Sequence, residues 1–231
     1  MKLLNEWKES FLHLLFPNLC AGCGNDLVNK GSTLCLRCIG SLPATGFASF
    51  SGNPIEKKFW GRMEVNAATA EYYFVRHSII QYLMHTLKYK GDKDLGLQLG
   101  RFMGASLKAS GRFGADGLIP LPLFPSREKK RGYNQADLLC RRISETSGIP
   151  VLNDVVYRSE ETSTQTQMSR VLRWQNMQGK FVVKGLNKIK GQRLILVDDV
   201  ITTGATLEAC GEVLLNGGCR LSIAALCYAD H

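Results

Sequence analysis

The chain has 231 residues, 45% of them hydrophobic, enough to bury one substantial core and to carry one small module beside it. Its 29 Lys and Arg against 20 Asp and Glu leave a formal charge of +9 and an isoelectric point near 9.2, which suit an anionic ligand or partner. No internal repeat and no low-complexity tract is present, which excludes repeat architectures and long disordered tails.

The first sixteen residues place Leu3, Leu4, Trp7, Phe11, Leu12, Leu14 and Leu15 at helical spacing, broken by Glu6, Lys8 and Glu9. This predicts an amphipathic helix over 1–16, neither a signal peptide nor a membrane span, that docks on the main domain or lies on a membrane surface. Residues 17–42 form the next unit. Cys20 and Cys23 (CAGC) and Cys35 and Cys38 (CLRC) make two CxxC knuckles eleven residues apart. Four thiolates at that spacing complete a closed tetrahedral zinc site, and with no open position such a zinc is structural. Disulfides and a thioredoxin-type redox pair are the competing readings; the first lacks a secretory signal and the second lacks its strand-to-helix setting. Cys140, Cys210, Cys219 and Cys227 stand singly in apolar surroundings and read as buried free thiols of a cytoplasmic protein.

Residues 43–62 are rich in Gly, Pro and Ser and are expected to be a linker between the small module and a main domain over 63–231. Within that domain a strand is expected at Ala67 to Phe74, helices near Ser78 to Tyr89 and Asp94 to Ser110, and a core strand at Gly117 to Leu121. A helix from about Asn134 to Ser147 follows, then strand-like segments at Val151 to Tyr157 and at Val182 and Val183, a strand at Arg193 to Val197, a helix at Ala205 to Asn216 and a strand at Leu221 to Cys227. Alternating strands and helices argue for an α/β fold with a doubly wound, mostly parallel sheet.

The segment Leu196 to Thr206, LVDDVITTGAT, is the most informative. An apolar run with no polar face reads as a strand buried on both sides, and Asp198 and Asp199 fall at its carboxyl end, where open α/β sheets bind ligands. Thr202, Thr203, Gly204, Ala205 and Thr206 turn into a helix. Its first N–H groups and the threonine hydroxyls suit a phosphate dianion, while the carboxylates can accept hydrogen bonds from vicinal ribose hydroxyls. The loop lacks the GK[ST] ending of a Walker A motif.

This motif resembles the phosphoribosyl pyrophosphate (PRPP) loop of type I phosphoribosyltransferases. The resemblance implies that Asp198 and Asp199 hold the ribose 2′ and 3′ hydroxyls, that Thr202 to Thr206 bind the 5′-phosphate, and that Mg²⁺ accompanies the pyrophosphate. Two further segments, Pro120 to Gln135 (PLPLFPSREKKRGYNQ) and Gln165 to Phe181 (QTQMSRVLRWQNMQGKF), together with Leu87 to Asp92 (LKYKGD), look like the ComF family, phosphoribosyltransferase-like proteins that include competence proteins for DNA uptake. On that resemblance Lys88, Tyr89 and Gly91, then Arg127, Arg131, Gly132, Asn134 and Gln135, then Gln165, Arg173 and Asn176 join the site. Gln167, Met168 and Leu172 depart from the family pattern. Taken alone, the cations from Arg127 to Arg131 read equally as a solvated charge run, and Lys88 as a dipole-compensating lysine near a helix end.

Two functions follow from these parts. One is phosphoribosyl transfer from Mg-PRPP to an unidentified acceptor with release of pyrophosphate, in a nucleotide- or DNA-uptake-related process, with Asp198 and Asp199 as catalytic residues and Lys88, Arg127 and Arg131 binding PRPP. The other is a non-catalytic PRPP-sensing or single-stranded-DNA-binding accessory protein, in which Lys57, Lys58, Phe59, Trp60 and Arg62, or Lys129, Lys130, Arg131 and Tyr133, pair phosphate contacts with base stacking.

Overall fold

The computed structural model describes residues 17–27, 31–158 and 181–229. The expected helix over 1–16 lies outside them, as do Gln165, Arg173 and Asn176. The described residues form a four-stranded parallel sheet of β1 (Ala68–Tyr73), β2 (Gly117–Pro120), β5 (Arg193–Ile201) and β6 (Arg220–Tyr228), in the order β1-β6-β5-β2. A separate antiparallel pair joins β3 (Val156–Arg158) to β4 (Phe181–Val183). The helices are α1 (Leu36–Gly40), α2 (Pro54–Phe59), α3 (Ile79–His85), α4 (Lys93–Ser110), α5 (Pro125–Arg131), α6 (Gln135–Ser147) and α7 (Ala205–Asn216). None of them is long and apolar enough to cross a membrane.

The unbroken apolar runs of β5 and β6 are explained by cover on both faces. Ile195, Val197, Ala224 and Leu226 point into a core shared with α3, α4 and α6, whereas Leu194, Leu196, Ile223 and Ala225 point into a second core with α2 and α7. Alternation between two buried layers keeps Leu194 to Val197 and Ile223 to Leu226 apolar at every position. Each pairing is parallel, so all four carboxyl ends meet at one edge. The strand expected from Val151 is shorter than its sequence suggests. Val151 makes a single parallel bridge to Leu118, and ladder pairing resumes only at Val156, after Asp154 turns at a φ of 65°.

Helices α4 and α6 approach closely because α4 carries Gly96, Gly100 and Gly104 on one face. A Cβ on Gly100 would stand 3.0 Å from the Leu139 carbonyl oxygen and 3.1 Å from the Leu139 Cα, both backbone atoms that cannot swing away. Gly100→Val is therefore expected to destabilise the chain by about 2–3 kcal/mol, read as a lower urea midpoint with an unchanged slope.

The segment 43–62, expected as a linker, is packed structure. Pro54 opens α2, and Asn53 is fully buried: its Oδ1 accepts from Ile55 and Glu56 N–H, and its Nδ2 donates to the Phe47 and Ala68 carbonyls. Phe47, Ile55 and Phe59 sit in the core beneath β1 and α7. The Gly, Pro and Ser content that suggested a loose tether supplies an Asn cap, a Pro at the first helical turn and glycines at positive φ instead. The four-cysteine module is likewise docked. Thr33 N–H donates to the Gln98 side chain on α4 at 2.6 Å, and Leu27, Leu34 and Leu42 belong to the core that holds Leu95 and Leu99.

Candidate functional site

Strand β5 runs three residues beyond Asp198, because β6 is equally long and pairs with it as far as Ile201↔Tyr228. The two carboxylates thus lie within the last part of the strand instead of just past its end, and the crevice opens at the loop that follows. Both are half-buried. The Asp198 carboxyl is pushed up to about 8 by burial and by the neighbouring Asp199 charge. The Asp199 N–H donates to Asp198 Oδ1 at 2.7 Å, and Lys88 and Arg158 pull in the opposite direction without overcoming burial.

Positive charge stands on two walls, and Lys88 on the first reaches the pair. Helix α3 ends in a single π-turn, Thr86–Lys90, closed by Gly91 at a φ of 71°. The wider turn puts Lys88 Nζ 3.1 Å from Asp199 Oδ2, so Lys88 belongs to the site and is not a solvated lysine. On the other wall, α5 carries Arg127 and Arg131. Arg131 lies over the Tyr89 ring of the π-turn at 5.9 Å and donates to Gln135 Oε1 at 2.9 Å. The Tyr133 hydroxyl donates to the Leu87 carbonyl, tying the RGYNQ turn to the π-turn. Asn134 and Gln135 are structural: Asn134 caps α6 through Ala136 N–H and donates to the Leu121 carbonyl, and Gln135 is almost fully buried.

Asp198 and residues 200–207 line one small open cavity, within which Thr202, Thr203, Ala205 and Thr206 are exposed. The loop rests on the former linker. Gly204, at a φ of 79°, has Phe59 directly beneath it, and Arg62 donates to the Thr203 carbonyl at 3.2 Å while pairing with Glu208 on α7. Any Cβ on Gly204 would be 3.1 Å from the Phe59 ring and in left-handed backbone. Gly204→Ala is expected to cost about 1–2 kcal/mol of stability by thermal melting and to weaken phosphate binding by calorimetry, because the loop must shift off Phe59.

The four predicted thiols converge. The sulfurs of Cys20, Cys23, Cys35 and Cys38 all lie within 4.8 Å of one another, with Cys23 and Cys35 at 3.8 Å. Sulfurs held about 2.3 Å from one tetrahedral ion stand about 3.8 Å apart, whereas a disulfide needs about 2.05 Å, so the set fits a metal and not a cystine. Backbone N–H groups of Gly22 and Cys35 point at Cys20 Sγ, at 3.4 and 3.2 Å. Burial raises the Cys20 thiol, but these donors outweigh it and bring the group down to about 6. Cys140, Cys210, Cys219 and Cys227 are buried free thiols.

A family model for the phosphoribosyl transferase domain matches residues 129–231. Competence protein F of Haemophilus influenzae is 31% identical over 211 residues, covering 88% of this chain and 86% of that protein. The chain belongs to the ComF family. A second ComF-like relative, the DNA utilization protein YhgH of Shigella flexneri, is 29% identical over 215 residues, 90% of this chain and 89% of that one. Among solved structures, a glutamine phosphoribosylpyrophosphate amidotransferase from B. subtilis, complexed with ADP and GMP, aligns with 56% of this chain and 25% of its own at 20% identity and a TM-score of 0.41. The ComF chain is thus a phosphoribosyltransferase-like parallel sheet with a four-cysteine cluster near its start.

Sequence reasoning overlooked Arg158 as a site residue of this ComF protein. Its guanidinium lies 3.6 Å from the Phe124 ring centroid and 5.2 Å from that of Phe181, its Nε has no hydrogen-bond partner among the described residues, and its charge acts on Asp198. The one signal for it was an arginine at the edge of a Ser/Thr-rich stretch. Arg62 was noticed as a nucleic-acid candidate but not as the brace of the phosphate loop.

Proposed function

We propose that this chain binds PRPP at the carboxyl edge of its sheet. The observation that carries the reading is the Asp198–Asp199 pair, held beside Lys88 and running directly into a Thr-rich helix start. On this reading the carboxylates accept the ribose hydroxyls, the N–H groups and hydroxyls of Thr202, Thr203, Ala205 and Thr206 take the 5′-phosphate, and Arg127, Arg131 and Lys88 face the pyrophosphate. Mg²⁺ bound with PRPP supplies further neutralisation of the pyrophosphate charge. The protein's own contribution to transfer is positioning and fixed charge, since on this reading the acceptor itself displaces pyrophosphate at the ribose. Zinc held by the four thiolates is structural, because every position of a tetrahedral ion is taken by protein.

Calorimetric titration with PRPP and Mg²⁺, followed in the same sample by a pyrophosphate-release assay with pooled bases, tests the proposal. Binding with release makes the chain a transferase, binding without release makes it a sensor, and no binding removes the reading.

A second reading, contact with single-stranded DNA, is favoured by one observation. Lys58 lies 4.9 Å from the Tyr228 ring and Lys57 6.0 Å from the Trp60 ring, while Phe50, Trp60 and Tyr73 are exposed nearby, at the same sheet edge. Cations interleaved with open rings suit a strand whose bases stack while its phosphates are neutralised. Affinity for a short oligonucleotide that falls steeply with salt and drops on Trp60→Ala supports it; salt-independent or absent binding removes it.

A further inference from the structure

On the far side of β2 from the carboxylates, the structure holds a cavity of about 360 Å³ that neither PRPP nor the exposed rings account for. That volume lies in the range of about 300–1,000 Å³ typical of small-molecule sites. Its floor is apolar, made by Ile119, Pro120, Leu152 and Val156, with Pro122 and Leu123 closing one side. Three carboxylates stand around it: Glu128 from α5, Asp137 from α6 and Asp154 from the turn before β3.

The cations in the same lining are Arg141 and Arg158. Arg141 pairs with Asp137 at 2.7 Å, and the face of the Arg158 guanidinium is stacked on Phe124. Tyr157 hydrogen-bonds to Asp154. Asn134, which also lines the cavity, uses its side chain to cap α6 and to donate to Leu121. In a chain of formal charge +9 the lining therefore sets three carboxylates against two guanidinium groups around a partly apolar floor. A carboxylated or phosphorylated ligand meets like charge there, whereas a planar ring carrying amino groups finds both stacking surface and acceptors.

We propose that this cavity is a binding site for a neutral or cationic amino-substituted heterocycle, adjoining the phosphoribosyl site across β2, whose Pro120 lines the cavity and pairs with Val197 beside Asp198. The cavity's existence and chemistry do not depend on PRPP; only the adjacency rests on that reading.

The test is calorimetry on the full chain with adenine as the probe and orotate, a carboxylated ring, as the control. Adenine is expected to bind and orotate not to. Glu128→Ala with Asp154→Ala, both at exposed positions, should weaken adenine by about ten-fold or more while the melting temperature stays within about 2 °C of the parent. Asp198→Ala with Asp199→Ala should leave adenine binding in place, whatever it does to PRPP. Absence of adenine binding, equal binding of orotate, insensitivity to the Glu128 and Asp154 variants, or loss of adenine in the Asp198 and Asp199 variant would each overturn the proposal. Failure of PRPP to bind while adenine binds would remove the phosphoribosyl reading and leave the cavity assignment intact.

Discussion

Stripping the metal from the four-cysteine module, or replacing Cys38 with Ser, is expected to lower the unfolding temperature of the whole chain by about 10 °C or more. A free-standing zinc knuckle would unfold alone and leave the main domain untouched. Here the module shares its interior with the sheet: Leu34 is 1% exposed and packs in the same cluster as Leu95, Leu99 and Ile195. Gly22 lies so close to Ile79 that a Cβ there would be 2.8 Å from its Cδ1, and Ser32 and Thr33 bond to Gln98 on α4. Without an ion, buried Cys38 stays a thiol, pushed up by burial and by hydrogen bonding among the sulfurs, and no covalent link holds the two knuckles together. Loss of several buried leucines from one side of α3 and α4 is worth about 4–6 kcal/mol, which for a chain of this size corresponds to the stated drop. Differential scanning calorimetry before and after chelation, with metal content measured on the same samples, decides it. An unchanged transition after full metal loss would mean that docking alone holds the module.

Replacing Asp198 and Asp199 with Ala is expected to reduce PRPP affinity at least 100-fold while leaving the fold intact, and Asp198→Asn alone is expected to make the unliganded protein more stable at neutral pH. The Asp198 carboxyl titrates near 8 in the folded chain, because burial and Asp199 disfavour its charge, and near 4 when unfolded. Between those values the folded chain keeps a proton that the unfolded chain releases. Its contribution is therefore most favourable at the acid end and is lost progressively as pH rises from about 4 to about 8. Asn carries no charge at any pH and removes that slope. Melting curves across the window should show the parent losing stability toward pH 8 relative to Asp198→Asn, with the gap closing at pH 4. A parent more stable than the Asn variant at pH 8 would refute the assignment. The carboxylate whose charge is disfavoured by burial is the group that, on the proposed reading, a ribose and its accompanying cations would satisfy, a trade between stability and activity.

The strand, carboxylate and threonine sequence of 193–206 was legible because one short stretch carries its whole meaning: a run with no polar face, then acids, then hydroxyls and glycine. The cysteines were legible for a similar reason, since spacing alone brings ligands together. The segment 43–62 was not. Its Gly, Pro and Ser residues speak of turns, and only the tertiary neighbours of Asn53, Phe59 and Arg62 reveal that those turns support the phosphate loop. Arg158 was hidden for another reason, because its importance comes from Phe124, thirty-four positions earlier, and from a field at Asp198 that no local pattern encodes. The expected end of β5 at Val197 was four residues short of the ladder's true reach, since strand length is fixed jointly with β6. Asn134 and Gln135, taken from the family pattern as site residues, proved to be the hinge pins of a turn.

The glycine face of α4 has a consequence for how the site responds as a whole. With Gly96, Gly100 and Gly104 letting backbone meet backbone, α4 and α6 cannot slide past each other without colliding, and each carries one of the cationic turns at its amino end: the Lys88 turn before α4 and the Arg131 turn before α6. The Tyr133 hydroxyl riveted to the Leu87 carbonyl closes the same frame at its mouth. The two turns are therefore braced against each other, and Lys88 and Arg131 are held at a fixed spacing by the same frame.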